Sequence, residues 1–396
     1  MGNSSDVAGR APIHVFASAN AWLEDTATRQ LEHVATLPGV TAVAGMPDLH
    51  PGKYGPVGCA VLADGIYPQL VGSDIGCGMG LFRLDVAARK LKLDRLAERL
   101  DTLDARWDGD IPDAIAAAGL APTPFDDALG SIGGGNHFCE VQAIEEIVDR
   151  DAAAAAGLDR DQAYVLVHSG SRGLGRAILE PYLAGGMVTL DPASGEGEAY
   201  LARHDQAVAW ARVNRSIIAV RAAHAARADH ALVADLAHNM VELTPRGALH
   251  RKGAAASDRG LVPIPGSRGT LSYLVEPVAP LTPEALASLA HGAGRKYDRA
   301  SMHGRVRAKR SDVARLERNP FGGLVVCGDR DLLVEEAPEA YKAIERVIDD
   351  LVASGLARVV ATFRPLVTFK KAARGSERQR PERERGARDE RGGRRR

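Results

Sequence analysis

One short stretch, residues 71–80, brings two side chains able to hold a metal close together. It reads VGSDIGCGMG, so Asp74 and Cys77 lie three residues apart among four glycines. Glycine accepts backbone conformations that a Cβ forbids, and the run therefore predicts a bent backbone that presents polar groups to a bound species. A carboxylate beside a thiolate favours a divalent transition metal over calcium or magnesium. The alternative interpretation is a plain turn around a buried thiol.

Four later histidines could add imidazole ligands. His137 follows three glycines and an asparagine in GGGNHFCEV, and His168 opens HSGSRGLG at the end of a predicted strand. Such glycine-rich strand ends suit phosphate or sugar contacts through backbone N–H groups. His291 opens HGAGR, whose small residues would let a nucleotide lie against the backbone. His238 precedes Asn239 in an Ala-rich stretch, where a surface or hydrogen-bonded histidine is the alternative to a ligand.

The elements that must position these groups alternate between helices and strands. Helices are predicted over 22–37, 144–156 and 198–243, and strands over 40–44, 57–62, 164–167 and 361–370. The first strand leads into MPDLHPGK at 46–53, which we expect to be a loop carrying Asp48.

The composition favours a globular protein of the reducing cytoplasm. With 396 residues and 45% hydrophobic content, the chain can bury a substantial core. Its four cysteines show no paired spacing, and no segment resembles a signal peptide, which argues against a disulfide framework and for a cytoplasmic location. No window reaches the roughly 18 to 20 apolar residues needed to span a bilayer, so no membrane partner is expected.

Charge is unevenly distributed along the chain. Residues 370–396 carry 12 Lys and Arg against 5 Asp and Glu, whereas residues 1–369 carry 38 against 46. The basic end contains no aromatic residue and no aliphatic residue except Ala, and we expect it to be disordered from residue 372. It either adds salt-sensitive affinity for RNA or serves as a solubilising terminus.

Ten sequence blocks, taken together, resemble the RtcB family of RNA ligases. They are MPDLHPGK, VGSDIGCGMG, GSIGGGNHFCEV, VHSGSRG, HN at 238, HRKGA, PGSRGTLSY, AHGAGR, EEAPEAYK and RPLVTFK. They follow the family's order and cover nearly the whole chain, from about residue 36 to 370. The resemblance implies a single α/β (α+β) catalytic domain over 1–371, with a mixed, mainly antiparallel sheet core surrounded by helices.

The resemblance also implies a centre of two Mn(II) ions bridged by Cys77. One ion would also be held by Asp74 and His137, and the other by His168 and His238. A bridging thiolate with imidazole and carboxylate ligands accepts Mn(II), although Zn(II) would bind more tightly at equal concentration.

His291 resembles the family's nucleophile, which accepts GMP from GTP, and Asp48 would orient it. A guanylate pocket is implied for the remaining matching positions, with Glu140 accepting hydrogen bonds from the donor edge of guanine. These positions are Asn136, His137, Phe138, Cys139, Glu140, His238, Asn239, Pro265, Gly266, Ser267, Arg268, Ser272, His291, Gly292, Ala293, Gly294 and Lys370.

The implied reaction joins RNA ends bearing a 2′,3′-cyclic phosphate or 3′-phosphate to 5′-hydroxyl ends, through a histidine-GMP intermediate and an activated RNA-3′-pp-G end. Two alternatives stay open: a metal-dependent phosphoesterase that opens cyclic phosphates without sealing, and an RNA-binding protein without turnover. A monomer is expected, and the need for an accessory activating protein is open. Arg268, where many relatives carry Met, and the acidic body suggest a divergent branch that repairs RNA rather than splicing tRNA.

Overall fold

The computed structural model describes residues 9–306 and 315–372. Its strands are β1 (Ile13–Val15), β2 (Val40–His50), β3 (Val57–Ala63), β4 (Gly78–Ala87), β5 (Phe138–Ile147), β6 (Gln162–Ser169), β7 (His230–Ala237), β8 (Asn239–Thr244), β9 (Gly247–Lys252), β10 (Ala254–Ala256), β11 (Val262–Ile264), β12 (Ser272–Pro277), β13 (Ser288–Ala290), β14 (Leu324–Cys327) and β15 (Ala357–Lys371). Its α-helices are α1 (Asp25–Val34), α2 (Pro68–Val71), α3 (Leu93–Leu100), α4 (Ile111–Ala117), α5 (Arg150–Ala155), α6 (Gly173–Leu179), α7 (Gly195–Ala226), α8 (Arg299–Arg305), α9 (Arg330–Glu335) and α10 (Ile344–Ala353).

The described strands form three sheets that are mainly antiparallel. One sheet has the order β1-β2-β3-β9-β8, a second pairs β10 with β13, and the largest has the order β11-β12-β15-β5-β6-β4-β7 with β14 added beside β15. Within the described residues only the β1–β2 and β14–β15 pairs run parallel. This mixed, mainly antiparallel core with surrounding helices confirms the predicted fold class. The division at residue 371 stays a prediction.

The long helix α7 covers one face of the largest sheet. On β6, Val165 and Val167 pack in the same cluster as α7, whereas Tyr164 and Leu166 join a cluster on the opposite face. Successive strand residues point to opposite faces, so a sheet covered on both sides needs apolar residues throughout β6. The α7 side of this contact includes Ala219 and other alanines, whose small side chains let the helix approach closely.

Three predicted elements differ from the structure, two of them because pairing between distant strands outweighs local preference. The Ala-rich helix ends at Ala226, and residues 230–237 and 239–244 pair as β7 and β8, so His238 lies between two strands. Residues up to Ile147 continue β5 against β15 and leave only Arg150–Ala155 helical.

The predicted loop at 46–53 is the third difference. Strand β2 continues through His50, so Asp48 lies within a strand. The β2–β3 register shifts between Gly45 and His50, around Pro47, which has no N–H to donate to a ladder.

Among the described residues, no helix combines the length and apolar character needed to cross a membrane. The basic segment whose disorder the sequence predicts begins at residue 372, and residues 373–396 lie outside the described part of the chain.

Candidate active site

The loop between α2 and β4 carries Asp74 and Cys77. Gly76, at a φ of 74°, turns the backbone tightly against α7. A Cβ there would lie 2.8 Å from Val208 Cα, so only glycine permits the approach. The turn leaves Cys77 buried, with its Sγ 3.3 Å from His137 Nε2. The same His137 nitrogen lies 2.8 Å from Asp74 Oδ2.

Neighbouring strands of the largest sheet bring the other imidazoles to Cys77. His168 lies in β6 with its Nε2 3.1 Å from Cys77 Sγ. His238, between β7 and β8, donates its backbone N–H to the carbonyl oxygen of Cys77 at 2.7 Å. The result is two donor groups that share the sulfur, Asp74–Cys77–His137 and Cys77–His168–His238, with the ligand atoms of each group within 4.8 Å of one another.

The electrostatics of this cluster suit a divalent cation. Burial, followed by the neighbouring histidines, holds the pKa of His168 well below its usual value, and burial does the same for His238, so both imidazoles are neutral donors. Burial and then the Asp74 carboxylate raise the pKa of the Cys77 thiol. A bound cation reverses that trend, because its charge favours the thiolate. Neutral imidazoles, a carboxylate and a thiolate are a donor set for a transition metal.

Two buried polar residues of α7 fix the loops that carry these ligands. Arg215 donates from Nη1 to the carbonyl oxygens of Gly76 at 2.8 Å and Ser169 at 3.0 Å, and pairs through Nε with Asp235 Oδ1 at 2.7 Å. Asn214 donates to Ser169 Oγ at 3.1 Å and accepts from the N–H of Gly130 at 2.7 Å. The helix thereby holds the loops around Cys77, His137 and His168 in one arrangement. Sequence analysis missed both residues.

His291 lies beside this cluster and is held by Asp48. Its Nδ1 lies 2.6 Å from Asp48 Oδ2, and its backbone N–H donates to the same oxygen at 3.1 Å. Because Nδ1–H points to the carboxylate, the free lone pair of the imidazole is on Nε2. The His291 and His238 ring centroids are 4.6 Å apart, so the candidate nucleophile and the candidate ligands share one site.

Lys342 fixes Asp48 from behind. Its Nζ donates to the carbonyl oxygens of Pro47 at 3.0 Å and Leu49 at 2.6 Å, on either side of Asp48. Burial lowers the pKa of Lys342 to about 8, and the Asp48 carboxylate opposes this change. This lysine ends the EEAPEAYK block, but the sequence pattern alone predicted no role for it.

A cavity of about 360 Å³ extends from His291 and His238 along the end of the largest sheet. The predicted site residues that line it are Asp74, Cys77, Asn136, Phe138, Glu140, His168, His238, Asn239, Pro265, Gly266, Ser267, Arg268, His291, Gly292, Ala293, Gly294 and Lys370. A volume of this size lies within the usual range for small-molecule sites.

Glu140 presents a buried carboxylate to this cavity. Oε1 accepts from Gln142 Nε2 at 2.7 Å, and Oε2 accepts from the hydroxyl of Thr368. Ser272 Oγ accepts from the same Gln142 nitrogen at 3.0 Å and so supports Glu140 indirectly. Burial raises the pKa of Glu140 to about 7. A carboxylate offers about four acceptor positions, so both oxygens retain capacity for donors of a ligand.

Another part of the cavity wall is cationic and is organised by Glu336. This carboxylate accepts from Arg295 Nη1 at 3.0 Å, from Arg299 Nε at 3.3 Å and from the hydroxyl of Tyr341. Lys370 Nζ lies 3.5 Å from it. Three cations around one carboxylate leave an excess of positive charge that suits phosphate groups. Sequence analysis proposed Lys370 alone among these residues.

The structure does not bring every predicted site residue to the cavity wall. Cys139 points to the opposite face of β5, where it packs in the hydrophobic core. Asp48 and Ser272 lie behind the residues they support, and His137 lies behind Asp74, Cys77 and His168. Arg268 lines the wall while donating to the carbonyl oxygens of Leu333 and Glu336 at the end of α9.

Comparisons with known proteins match nearly the whole chain. A family model described as tRNA-splicing ligase RtcB matches residues 30–119 and 121–371. The RNA-splicing ligase RtcB2 of Escherichia coli is 45% identical over 90% of this chain and 95% of its own length. The tRNA-splicing ligase RtcB of Thermococcus kodakarensis is 29% identical over 90% of this chain and 94% of its own. The RNA-splicing ligase RtcB of Mycobacterium tuberculosis is 30% identical over 85% and 99%.

Proposed function

Because the chain belongs to the RtcB family of RNA-splicing ligases, we propose that it is a GTP- and Mn(II)-dependent RNA ligase. Its substrates are RNA ends with a 2′,3′-cyclic phosphate or 3′-phosphate and ends with a 5′-hydroxyl. The observation that carries the proposal is the Asp48–His291 pair beside the Cys77 cluster. Nδ1 of His291 is 2.6 Å from the carboxylate, which leaves Nε2 as the nucleophile in a site with a cavity for a nucleotide.

In the first step, His291 Nε2 attacks the α-phosphorus of GTP. The N–P bond forms, the bond to the pyrophosphate leaving group breaks, and the imidazole becomes positively charged. Asp48 stabilises that charge and holds the ring in place. The residues Asp74, Cys77, His137, His168 and His238 would hold Mn(II), which supplies charge neutralisation at phosphate oxygens when bound.

In the second step, an RNA 3′-phosphate oxygen attacks the same phosphorus. The N–P bond breaks, which regenerates His291 and leaves an RNA-3′-pp-G end. A 5′-hydroxyl then attacks the RNA phosphorus and expels GMP, which completes the new phosphodiester. A cyclic phosphate end enters this sequence after water has opened it to a 3′-phosphate.

Selection of guanine is assigned to Glu140. Its two carboxylate oxygens can accept from the N1–H and N2–H of guanine, whereas adenine presents an acceptor at N1. Arg295 and Lys370, two of the cations that surround Glu336, supply positive charge for phosphate groups at another part of the cavity wall.

The test is transfer of radiolabel from α-labelled GTP to the protein, followed by joining of a nicked RNA with each divalent metal in turn. We expect an acid-labile, base-stable label that His291→Ala abolishes and that His224→Ala, at an exposed position of α7, retains. An unlabelled wild-type protein refutes the proposal. If that protein still opens cyclic phosphates, it is a phosphoesterase.

A further inference from the structure

A partly exposed cluster of aromatic and basic side chains lies outside the site described above. Trp22, between β1 and α1, is 50% exposed. Its ring meets that of Tyr297 edge to face, with centroids 6.3 Å apart. Lys296 Nζ lies 4.8 Å from the Trp22 centroid, and the guanidinium of Arg305 lies 3.7 Å from the Tyr297 centroid. Neither the ligand cluster nor the nucleotide cavity uses these four side chains.

The cluster adjoins the cavity from two directions. Arg295 lines the cavity and donates from Nε to the carbonyl oxygen of Tyr297 at 2.9 Å, and Lys296 directly follows Arg295, so the cluster adjoins the cavity wall in sequence. The backbone N–H of Lys296 donates to Ala340 at 2.8 Å, which fixes this segment.

On the other side, α1 is tied to the cavity rim. Gln30 of α1 donates to the carbonyl oxygen of Gly52 at 2.8 Å and accepts from its N–H at 3.1 Å. Gly52 lines the cavity, so the segment that carries Trp22 leads into a helix anchored at the rim.

The chemistry of the cluster matches a single-stranded nucleic acid. Aromatic rings and guanidinium planes stack on unpaired bases, and basic side chains between them contact phosphates. Lys296 and Arg305 supply the charge here, because Arg299 is paired with Glu336 in the cavity wall. Asp298 lies between them in sequence and stays charged, because the hydrogen bond from the N–H of Ser301 lowers its pKa, but its carboxylate is engaged as the N-cap of α8.

The body is acidic as a whole, and the exposed Glu24 and Asp25 follow Trp22 at the start of α1. The positive charge of this corner is therefore concentrated at Tyr297, beside Lys296 and Arg305.

We propose that Trp22, Lys296, Tyr297 and Arg305 form a stacking platform for an unpaired base of the RNA strand whose end lies in the cavity. The inference rests on the proposed function, because it takes the cavity as the place where an RNA end reacts. The stacked base lies a few nucleotides from that end, since Tyr297 follows His291 by six residues, a span of at most about 21 Å.

The test is binding of a fluorescent single-stranded RNA to the full-length protein, without GTP, measured by anisotropy. One series of RNAs carries a 3′-phosphate and a single abasic site at successive positions, and a second series carries a 5′-hydroxyl. We expect Trp22→Ala to weaken binding of the intact RNA about 5- to 100-fold. An abasic site at one position of one series should abolish the difference in RNA affinity between Trp22→Ala and wild type.

A structural role for Trp22 would weaken all RNAs equally and would not couple to a single base. Equal weakening across both series, or none, therefore overturns the proposal. Trp22→Phe should retain most of the affinity, and Leu243→Ala, at a 54% exposed position of β8, serves as the control. The emission of Trp22, obtained as the difference in intrinsic protein fluorescence between wild type and Trp22→Phe, should also change when RNA binds. No change in this emission would contradict stacking.

Guanylylation separates this inference from the proposed function. Labelling of His291 by GTP needs no RNA. A wild-type protein that is labelled but shows no coupling between Trp22 and a base retains the ligase proposal and loses the platform. A protein that is unlabelled but shows the coupling retains the platform and loses the ligase proposal.

Discussion

Replacing Asp48 by Asn tests how far one carboxylate controls the reactive imidazole. Asp48 is fully buried, and its Oδ2 accepts both Nδ1–H and the backbone N–H of His291. An Asn side chain has nearly the same shape as Asp. Its oxygen should occupy the position of Asp48 Oδ2, because the opposite orientation would place the amide NH₂ against two N–H donors of His291. The substitution therefore removes the charge and keeps the orientation.

The size of the effect follows from the charge that develops on His291. A hydrogen bond to a charged acceptor contributes about 1 kcal/mol more than one to a neutral acceptor. Full Coulomb attraction of two unit charges about 4 Å apart, at an effective dielectric constant near 20, is about 4 kcal/mol. At about 1.4 kcal/mol per tenfold, these limits predict a rate of guanylylation about 5-fold to 10³-fold lower in Asp48→Asn.

The assay is single-turnover labelling with α-labelled GTP at saturating concentration, together with the Kd for GTP. A positioning residue for the nucleophile should lower the rate of labelling and leave the Kd nearly unchanged. Glu242→Gln, on β8, removes a carboxylate that pairs with Arg251 and Arg259, and it controls for loss of charge alone. Labelling of Asp48→Asn at the wild-type rate, with the same Kd, would refute the assigned role.

Four further predictions address other parts of the structure. Affinity for guanosine should rise as pH increases through about 7, because burial raises the pKa of Glu140 to about 7 and only the carboxylate accepts both guanine donors. Glu140→Gln should abolish this pH dependence. A wild-type affinity that does not change with pH would contradict the assignment. Gly253→Ala should slow guanylylation about 10- to 100-fold, because the new Cβ would lie 2.9 Å from His291 Cε1, whereas Gly260→Ala, with nothing within 4 Å, should not; equal rates for both would contradict the clash. Arg215→Met should lower the free energy of unfolding, measured by urea titration, by about 3–5 kcal/mol, because it leaves the buried Asp235 unpaired. The double variant Arg215→Met/Asp235→Leu should recover part of this loss. A loss below about 1 kcal/mol in Arg215→Met would contradict the prediction. Deleting residues 373–396 should lower RNA affinity and flatten its salt dependence, and unchanged binding would argue for a solubilising role.

The sequence predicted which side chain types could do chemistry better than it predicted the elements that carry them. Asp74 and Cys77 stood out because glycines surround them, and the structure puts them in a tight loop. His238 was expected in a helix because residues 198–243 contain neither Gly nor Pro. The helix instead ends where Arg227 adopts a left-handed conformation, and β7 then pairs with β4 across about 150 residues of chain. A local pattern carries no information about such pairing.

Supporting residues were harder to predict than ligands. Asn214 and Arg215 lie mid-helix, where a polar pair usually indicates a solvated face, yet both are buried and hold the loops of the site. Glu336 and Lys342 belong to a block that was recognised, but their partners, Arg295 and Asp48, are distant in sequence. Burial and partner identity are properties of the tertiary structure, and composition alone does not encode them.

Because both donor groups use the sulfur of Cys77, a chemical change at this atom would weaken metal binding by both groups. Oxidation to a sulfinic acid, or alkylation, would end the thiolate character of the one atom that both groups have in common. Without a bound cation, burial and the raised pKa of the thiol slow such attack, because the reactive form of a cysteine is the exposed thiolate. An oxidant that reaches this single atom would thus disable the whole cluster in one event.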